Sequence, residues 1–339
     1  MESVDFLKDF FVTPSIGLDI GSFSVKLALI RKTTLKKETF LSVATAPIKN
    51  APSREGIIEA IKEVFSQVKT DCRKINLSVC GPNVIMRYII LPHMKEKDLF
   101  KSLEFELEKY IPYKKEEVMT DYRILAKLAN NKILVLLVAV ERGFIQERIE
   151  LVKELGLEPQ LINVDSLALV EAFKATNPSF KGVAAILDIG YKISKLVVLD
   201  NDVPYFSRDI ETGEYEIVQT ISEKFSLPFE KAKALAYEPQ EKREQVAESV
   251  NLVLSNILEE INLSFEYCER NLEKKVEYMF LSGGGCRISV LLDSFNHMPG
   301  LRLDFLDPTR GFKLAPPSAE EGIKAHAPLL GVAIGLALS

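Results

Sequence analysis

Cysteine and histidine are scarce: the 339 residues include four cysteines, Cys72, Cys80, Cys268 and Cys286, and three histidines. No two cysteines form a CxxC pair and the histidines lie far apart, which excludes a zinc ribbon and a disulfide framework and leaves buried free thiols as the expectation. Free thiols suit a reducing cytoplasm. A basic excess is missing as well. With a formal net charge of -5, and Lys and Arg interleaved with Asp and Glu, the chain lacks the stripe of positive charge that a general nucleic-acid binder needs. Long apolar runs are absent too. The last one, Leu329 to Leu338, falls well short of the ~20 residues that span a bilayer. The opening Met1 to Val12 carries Glu2, Asp5, Lys8 and Asp9, so it does not read as a signal peptide. It reads instead as an amphipathic helix with Phe6, Phe10 and Phe11 on one side, packed on its own domain or touching a membrane or partner.

What is present is ample apolar material, 47% of the residues, in a chain too long for one small core. A two-lobed α/β protein is the natural expectation. The first block, Ser15 to Asp19, Val25 to Ile30 and Phe40 to Ala46, reads as a meander of short strands. A helix with Ile57, Ile61, Val64 and Val68 on one stripe follows, and then a strand at Ile75 to Val79. From about Cys80 to Asp165 the pattern changes to a compact α/β insertion. It holds a strand at Val84 to Ile90 and a helix from Glu96 with Leu99, Leu103, Leu107 and Ile111 on its buried side. Two strands then form a hairpin around Asn130 and Asn131, and a helix stops at Gly156.

At Ala184 the opening order begins again. The aspartates of the two Asp-Ile-Gly triplets, Asp19 and Asp188, lie 188 − 19 = 169 positions apart, about half the chain, which reads as an internal duplication. A long helix from roughly Glu244 to Leu272 leads into a strand and a glycine-rich turn. Asp307 to Ala325 reads as loop, and a last helix near Pro328 to Leu338 presents Gly331 and Gly335 for close packing against a sheet.

Three turns carry the chemistry. The first is Gly17-Leu18-Asp19-Ile20-Gly21-Ser22-Phe23-Ser24-Val25-Lys26, a strand, a tight turn and a second strand. Gly21 lets the backbone approach an anion, the amides and hydroxyls around Ser22, Phe23 and Ser24 can donate to phosphate oxygens, and Lys26 adds charge. Asp19, at the strand end, is placed to hold Mg²⁺ through water. The second turn, Asp188-Ile189-Gly190-Tyr191-Lys192, repeats the pattern, with Asp188 near the same metal. Two such turns half a chain apart can pinch a polyphosphate across a cleft. The third, Ser282-Gly283-Gly284-Gly285-Cys286-Arg287, follows a strand and opens a helix; its glycines let backbone contact an adenine ring or an α-phosphate.

This ordered set resembles the actin, sugar-kinase and FtsA superfamily, and within it the PilM family of type IV pilus assembly proteins. The similar phrases are Gly17 to Lys26, Arg87 to Pro92, Leu103 to Tyr113 and Leu155 to Pro159, then Asn163-Val164-Asp165, Leu187 to Gly190, Leu281 to Gly285 and Gly331 to Leu338. Glu108-Lys109-Tyr110-Ile111-Pro112 is the segment that separates that family from general actin relatives.

The resemblance implies a two-lobed actin-like fold of the duplicated ribonuclease H-like kind. Its first lobe would span 14–178 with a small subdomain inserted at about 76–160, its second lobe 179–325, and residues 326–339 would form a helix returning to the first lobe. It implies ATP and Mg²⁺ in the interlobe cleft, and a groove near the insertion for the cytoplasmic N-terminal tail of a PilN-like single-span membrane protein. It implies a place at the inner face of the membrane beside other pilus platform proteins and motor ATPases.

Several positions depart from the family pattern. Tyr191 and Lys192 stand where small residues are usual, and Gly213-Glu214 stands for a Gly-Gly pair, with Val218 in place of a Thr. On the helix that supplies a Glu and a Lys to the ribose and adenine side, Lys233 and Ala236 align, with Glu230 and Lys233 as a shifted substitute. All of these fall on the nucleotide, so docking is the firmer expectation, with at most a weak ATPase; no residue stands out to position water in line with a γ-phosphate. Alternatives within the superfamily are a type II secretion platform subunit, a filament former like FtsA and a small-molecule kinase. The first would continue into a membrane span and the second into a linker and membrane helix, whereas this sequence stops at Ser339. A kinase would need an acceptor pocket in place of the self-contained insertion.

Overall fold

The repeated Asp-Ile-Gly pattern folds into two sheets of the same topology. A computed structural model describes residues 14–33, 38–49, 53–273, 275–295, 298, 300–316 and 320–339; the helix expected over Met1 to Val12 lies outside them. Strands β1 (Ser15–Ile20), β2 (Ser24–Lys32) and β3 (Thr39–Pro47) form the antiparallel meander. Helix α1 (Arg54–Val68), capped where the Gly56 amide donates to Ser53 Oγ, returns the chain to β4 (Lys74–Val79), parallel to β1.

The chain then leaves this sheet. Strand β5 (Val84–Pro92), helices α2 (Glu96–Phe105) and α3 (Leu107–Tyr110), and strands β6 (Val118–Leu128) and β7 (Lys132–Glu141) build a separate three-stranded sheet, ordered β5-β7-β6. The stripe expected on one helix is divided by a break at Glu106. Leu99 and Leu103 pack with Ile133 and Val135, while Leu107 and Ile111 pack with Val118, Leu137 and Ala139, so each half follows a different part of the twisted sheet. Asn130 and Asn131, both at φ 55°, make the hairpin turn.

Helix α4 (Arg142–Glu154) leads to β8 (Glu158–Val164), which pairs parallel with β4. Leu151 and Val152 of α4 belong to the core of the first sheet. The separate sheet thus accounts for residues 84–141, and the flanking parts of the 76–160 span are built into the first lobe itself.

After α5 (Asp165–Thr176), the second lobe repeats the plan. Strands β9 (Val183–Ile189), β10 (Ser194–Asp200) and β11 (Val203–Ile210) form its meander. Helices α6 (Glu214–Phe225), α7 (Phe229–Tyr237) and the 30-residue α8 (Arg243–Leu272) cover one face. Strand β12 (Tyr278–Ser282) lies parallel to β9, and beyond the glycine turn and short α9 (Leu291–Phe295), β13 (Arg302–Phe305) completes the edge. The strands introduced so far are ordered β3-β2-β1-β4-β8 and β11-β10-β9-β12-β13, the same meander with parallel additions.

Between Asp307 and Ala325, read as loop, the chain makes β14 (Lys313–Leu314), which joins the edge of the first lobe's sheet, and α10 (Glu320–Ala325). Helix α11 (Gly331–Leu338) then wedges between the lobes. A Cβ on Gly17 of β1 would stand 2.0 Å from the Ala333 carbonyl oxygen, and one on Gly335 would stand 1.8 Å from that of Ala168 in α5. Gly335 therefore serves a helix-helix contact, whereas a Cβ on Gly331 would stand 2.9 Å from Leu169 Cδ2 of α5 and 3.0 Å from Ser282 Oγ at the end of β12; the close approach of α11 to the first lobe's sheet is made by Gly17.

Both faces of the second sheet are covered. Leu187 and Ile189 face α6 and α8, while Ala184 and Ile186 face α5 and α11, which is why β9 reads as an almost unbroken apolar run. At about 1.5–3 kcal/mol for each fully buried large aliphatic side chain, these layers hold the ends of β1 and β9 in place.

Candidate functional site

The ends of β1 and β9 open into one cavity of about 490 Å³ between the lobes, and both Asp19 and Asp188 line it. Its walls include Gly21, Ser22, Phe23, Ser24 and Lys26 from the first turn, Gly190, Tyr191 and Lys192 from the second, and Gly283 and Gly284 from the third. That size suits a small-molecule or cofactor site.

In the first turn, Asp19 faces Lys26 across the β1–β2 ladder, with Nζ 3.1 Å from Oδ2. A Cβ on Gly21 would lie 2.8 Å from Lys26 Nζ, so the missing side chain lets the ammonium fold back over the turn. Burial raises the Asp19 carboxyl above its ordinary value, against the pull of Lys26.

The second lobe repeats this register. Lys195 faces Asp188 across β9–β10, and its Nζ lies 3.3 Å from Asp188 Oδ2 and 3.2 Å from Oδ2 of Asp165, the first residue of α5. Burial alone would raise the Asp165 carboxyl; Lys195, with donors from Ser78 and Cys80, outweighs it and holds that carboxyl below its usual range. Burial in turn disfavours the Lys195 ammonium, but Asp165 and Asp188 keep it charged. The Cys80 thiol, half-buried like that of Cys72 where full burial was expected, is pushed well up by desolvation and by Asp165 beside it and stays un-ionised.

Aromatic side chains close the gap between the turns. The Phe23 and Tyr191 ring centroids are 4.8 Å apart, and Lys233 Nζ lies 3.6 Å from the Phe23 centroid. The same ammonium pairs with Glu214 Oε1 at 3.0 Å, to which the Tyr237 hydroxyl donates at 2.6 Å. Burial and Glu214 push the Tyr191 hydroxyl up to about 12.

The remaining expected residues stand behind these walls. Gly213 lies under the second turn, where a Cβ would sit 2.5 Å from the Gly190 carbonyl oxygen, and the Glu214 and Tyr215 amides donate to the carbonyls of Gly190 and Tyr191. The start of α6 is thereby occupied by the turn itself. Gly285 packs against Ile189, with Cγ2 2.3 Å from where its Cβ would be, and Arg287 lies over the Tyr237 ring at 5.0 Å. These positions shape the cleft without lining it.

The sequence assigns no role to Asp165, Lys195 or Arg148, and marks Glu214 only as a departure from the family pattern, yet all four line the cavity. A signal for Lys195 was available: Lys26 follows Asp19 by seven residues, and Lys195 follows Asp188 by seven.

The glycine turns, the hydroxyls of Ser22 and Ser24 and the cations Lys26 and Lys192 fit an anionic ligand of nucleotide size. The donors do not fit a resident Mg²⁺. Of the two carboxylates expected for it, Asp19 faces Lys26 and Asp188 shares Lys195 with Asp165; among the described residues no group of three or more His, Cys, Asp or Glu side chains converges as a metal site. Nor is any helix among them long and apolar enough to cross a membrane.

A second groove, of about 590 Å³, runs between β6 of the inserted sheet and β8 of the first lobe. Ile124, Leu161, Val164, Leu167 and Leu338 line it, with Asp121, Arg123, Glu171 and Lys174 among the polar groups.

Residues 17–339 match the model of the family described as type IV pilus assembly protein PilM. Among solved structures, the chain is similar to the PilM-PilN type IV pilus biogenesis complex, with 23% identity, a TM-score of 0.83 and coverage of 96% of this chain and 97% of that one. It is also similar to ethanolamine utilization protein EutJ from Carboxydothermus hydrogenoformans, with 12% identity, a TM-score of 0.55 and coverage of 98% and 93%. A diol dehydratase-reactivating factor in nucleotide-free form shares 9% identity at a TM-score of 0.58, with coverage of 96% and 99%. What these structures share with this chain is the two-lobed actin-like fold.

Proposed function

Because this chain belongs to the type IV pilus assembly protein PilM family, we propose that it is a scaffold of the pilus assembly platform that grips the cytoplasmic N-terminal tail of a PilN-like membrane protein between β6 and β8. The observation that carries this reading is a pair of sheet edges facing one groove. Among the described residues, β6 has only β7 as a sheet neighbour and β8 only β4. Such edges leave backbone donors and acceptors for an added strand, and an extended tail can take them. Ile124 and Leu161, 37% and 38% exposed, offer apolar contacts for alternate side chains of the tail. The charges of both signs around them would fix its direction. A tail held here places the scaffold peripherally under the inner face of the membrane, in reach of other platform proteins and motor ATPases.

The interlobe cavity is the place for a nucleotide, ATP in this reading, with Ser22, Ser24, Lys26 and Lys192 toward its phosphates and Gly283 and Gly284 toward its base. Asp19, Asp165 and Asp188 are ion-paired and the Cys80 thiol is un-ionised, so none of them is poised to activate water. The nucleotide would thus act as a clamp between lobes, with at most slow hydrolysis.

Fluorescence anisotropy of a labelled PilN-like tail peptide, with and without ATP, tests the proposal. Binding in the micromolar range, on the order of −8 kcal/mol, is expected. Absence of binding at millimolar peptide would sink it.

A further inference from the structure

Three carboxylates reach the interlobe cavity from separate elements: Asp19 from β1, Asp165 from the start of α5 and Asp188 from β9. In a polyphosphate cleft such a cluster would ordinarily be compensated by Mg²⁺, held by oxygen ligands and water. Here the chain carries its own cation. Lys195 Nζ lies 3.2 Å from Asp165 Oδ2 and 3.3 Å from Asp188 Oδ2, and the residue is only 7% exposed. Its position is fixed by the sheet, because Lys195 is the ladder partner of Asp188 and directly opposed side chains share a face. Lys26 stands in the same register against Asp19. A divalent ion bridging Asp165 and Asp188 would have to displace this buried ammonium, which lines the same cavity.

We propose that Lys195 is the resident cation of this cleft, standing where a divalent metal would bridge Asp165 and Asp188, so that the cavity takes its anionic ligand without Mg²⁺. The ligand half of this inference rests on the nucleotide reading above; the cation half does not. Asp165 follows the last strand of the first lobe's sheet, whereas Asp188 and Lys195 belong to the second lobe, so the same ammonium ties the lobes together at the base of the cleft.

Two measurements on the full chain test it. Mn²⁺ is titrated into the wild type, Asp188→Asn, Lys195→Ala and the double variant, with free Mn²⁺ followed by electron paramagnetic resonance. Wild type should retain no more Mn²⁺ than Asp188→Asn, whereas Lys195→Ala should gain one site that the double variant loses. A wild-type Mn²⁺ site abolished by Asp188→Asn, or a Lys195→Ala protein that gains none, overturns the proposal. Should Lys195→Ala fail to fold, the comparison of wild type with Asp188→Asn decides alone. Calorimetric titration of ATP in Mg²⁺ and in EDTA should give affinities within about threefold of each other, and a loss of tenfold or more in EDTA is the contrary result. No heat of binding in either buffer would defeat the nucleotide reading and leave the Mn²⁺ comparison to judge the cation.

Discussion

Phe23 and Tyr191, from the equivalent turns of the two lobes, touch across the cleft with ring centroids 4.8 Å apart. Lys233 adds its ammonium 3.6 Å from the Phe23 centroid. The gap that the duplicated turns would leave for a polyphosphate is thus bridged by side chains of the chain itself.

Phe23→Ser should separate two effects. It removes an aromatic pair and a cation–π contact, together worth about 2 kcal/mol, so the midpoint of urea unfolding should fall. A ligand entering between the turns must break the Phe23–Tyr191 contact, and in the variant that cost of about 1 kcal/mol disappears, so ATP affinity should rise by about fivefold. Calorimetry checks the second effect. Equal or weaker binding in the variant would mean that Phe23 contacts the ligand rather than excluding it.

Asp165→Ala should be among the most destabilising single changes in the cleft. It leaves Lys195 buried with one carboxylate in place of two, and breaking a buried pair from one side typically costs about 3–5 kcal/mol. Asp165→Asn keeps an acceptor for the ammonium and should lose about 1–2 kcal/mol. Urea unfolding of both variants tests the ranking, and equal losses would argue that shape rather than charge holds the site.

The sequence made one half of this cleft legible and left the other half unread. Asp19 and Asp188 sit at strand ends before glycines, a local pattern, so their convergence followed from the duplication alone. Asp165 and Glu214 enter through tertiary placement: each starts a helix whose direction is set by the sheet it packs on, and neither has a local pattern that marks a cleft. The edges of the insertion were illegible for a related reason. Strand β8, with its mixture of exposed and half-buried residues, reads the same whether it ends the inserted sheet or extends the lobe's own, and only its pairing with β4 decides. The break at Glu106 was hidden because the apolar stripe keeps its period on both sides of it.

Ile124→Asp and Leu161→Asp should act on docking and spare the fold. Both side chains are more than a third exposed, so stability should change by no more than about 0.5 kcal/mol. A charge in the groove should weaken the tail peptide by at least about tenfold in an anisotropy titration. Leu252→Asp on α8 is a fitting control, since Leu252 is 69% exposed and lies outside the groove. Loss of peptide in the control as well would move the docking site elsewhere.

Gly17→Ala should be far more damaging than its chemistry suggests. A Cβ there would stand 2.0 Å from the Ala333 carbonyl oxygen and 2.6 Å from the Ala337 amide nitrogen, both backbone of α11, so no flexible side chain can give way. The helix would have to back off the sheet, and it is the element that touches β1 on one side and α5 on the other. Overpacking of this kind costs about 1–3 kcal/mol and occasionally more; with backbone on both sides of the clash, the upper end is expected. Asp19 lies two residues further along the same strand, so ATP binding should fall together with stability. Gly322→Ala supplies the contrast: nothing lies within 4 Å of its Cβ position in α10, and replacing a helical glycine should gain up to about 1 kcal/mol. Thermal unfolding of the two variants beside wild type should therefore shift in opposite directions, and similar shifts would show that α11 does not clasp the lobes as tightly as its contacts with Gly17 and Ala168 require.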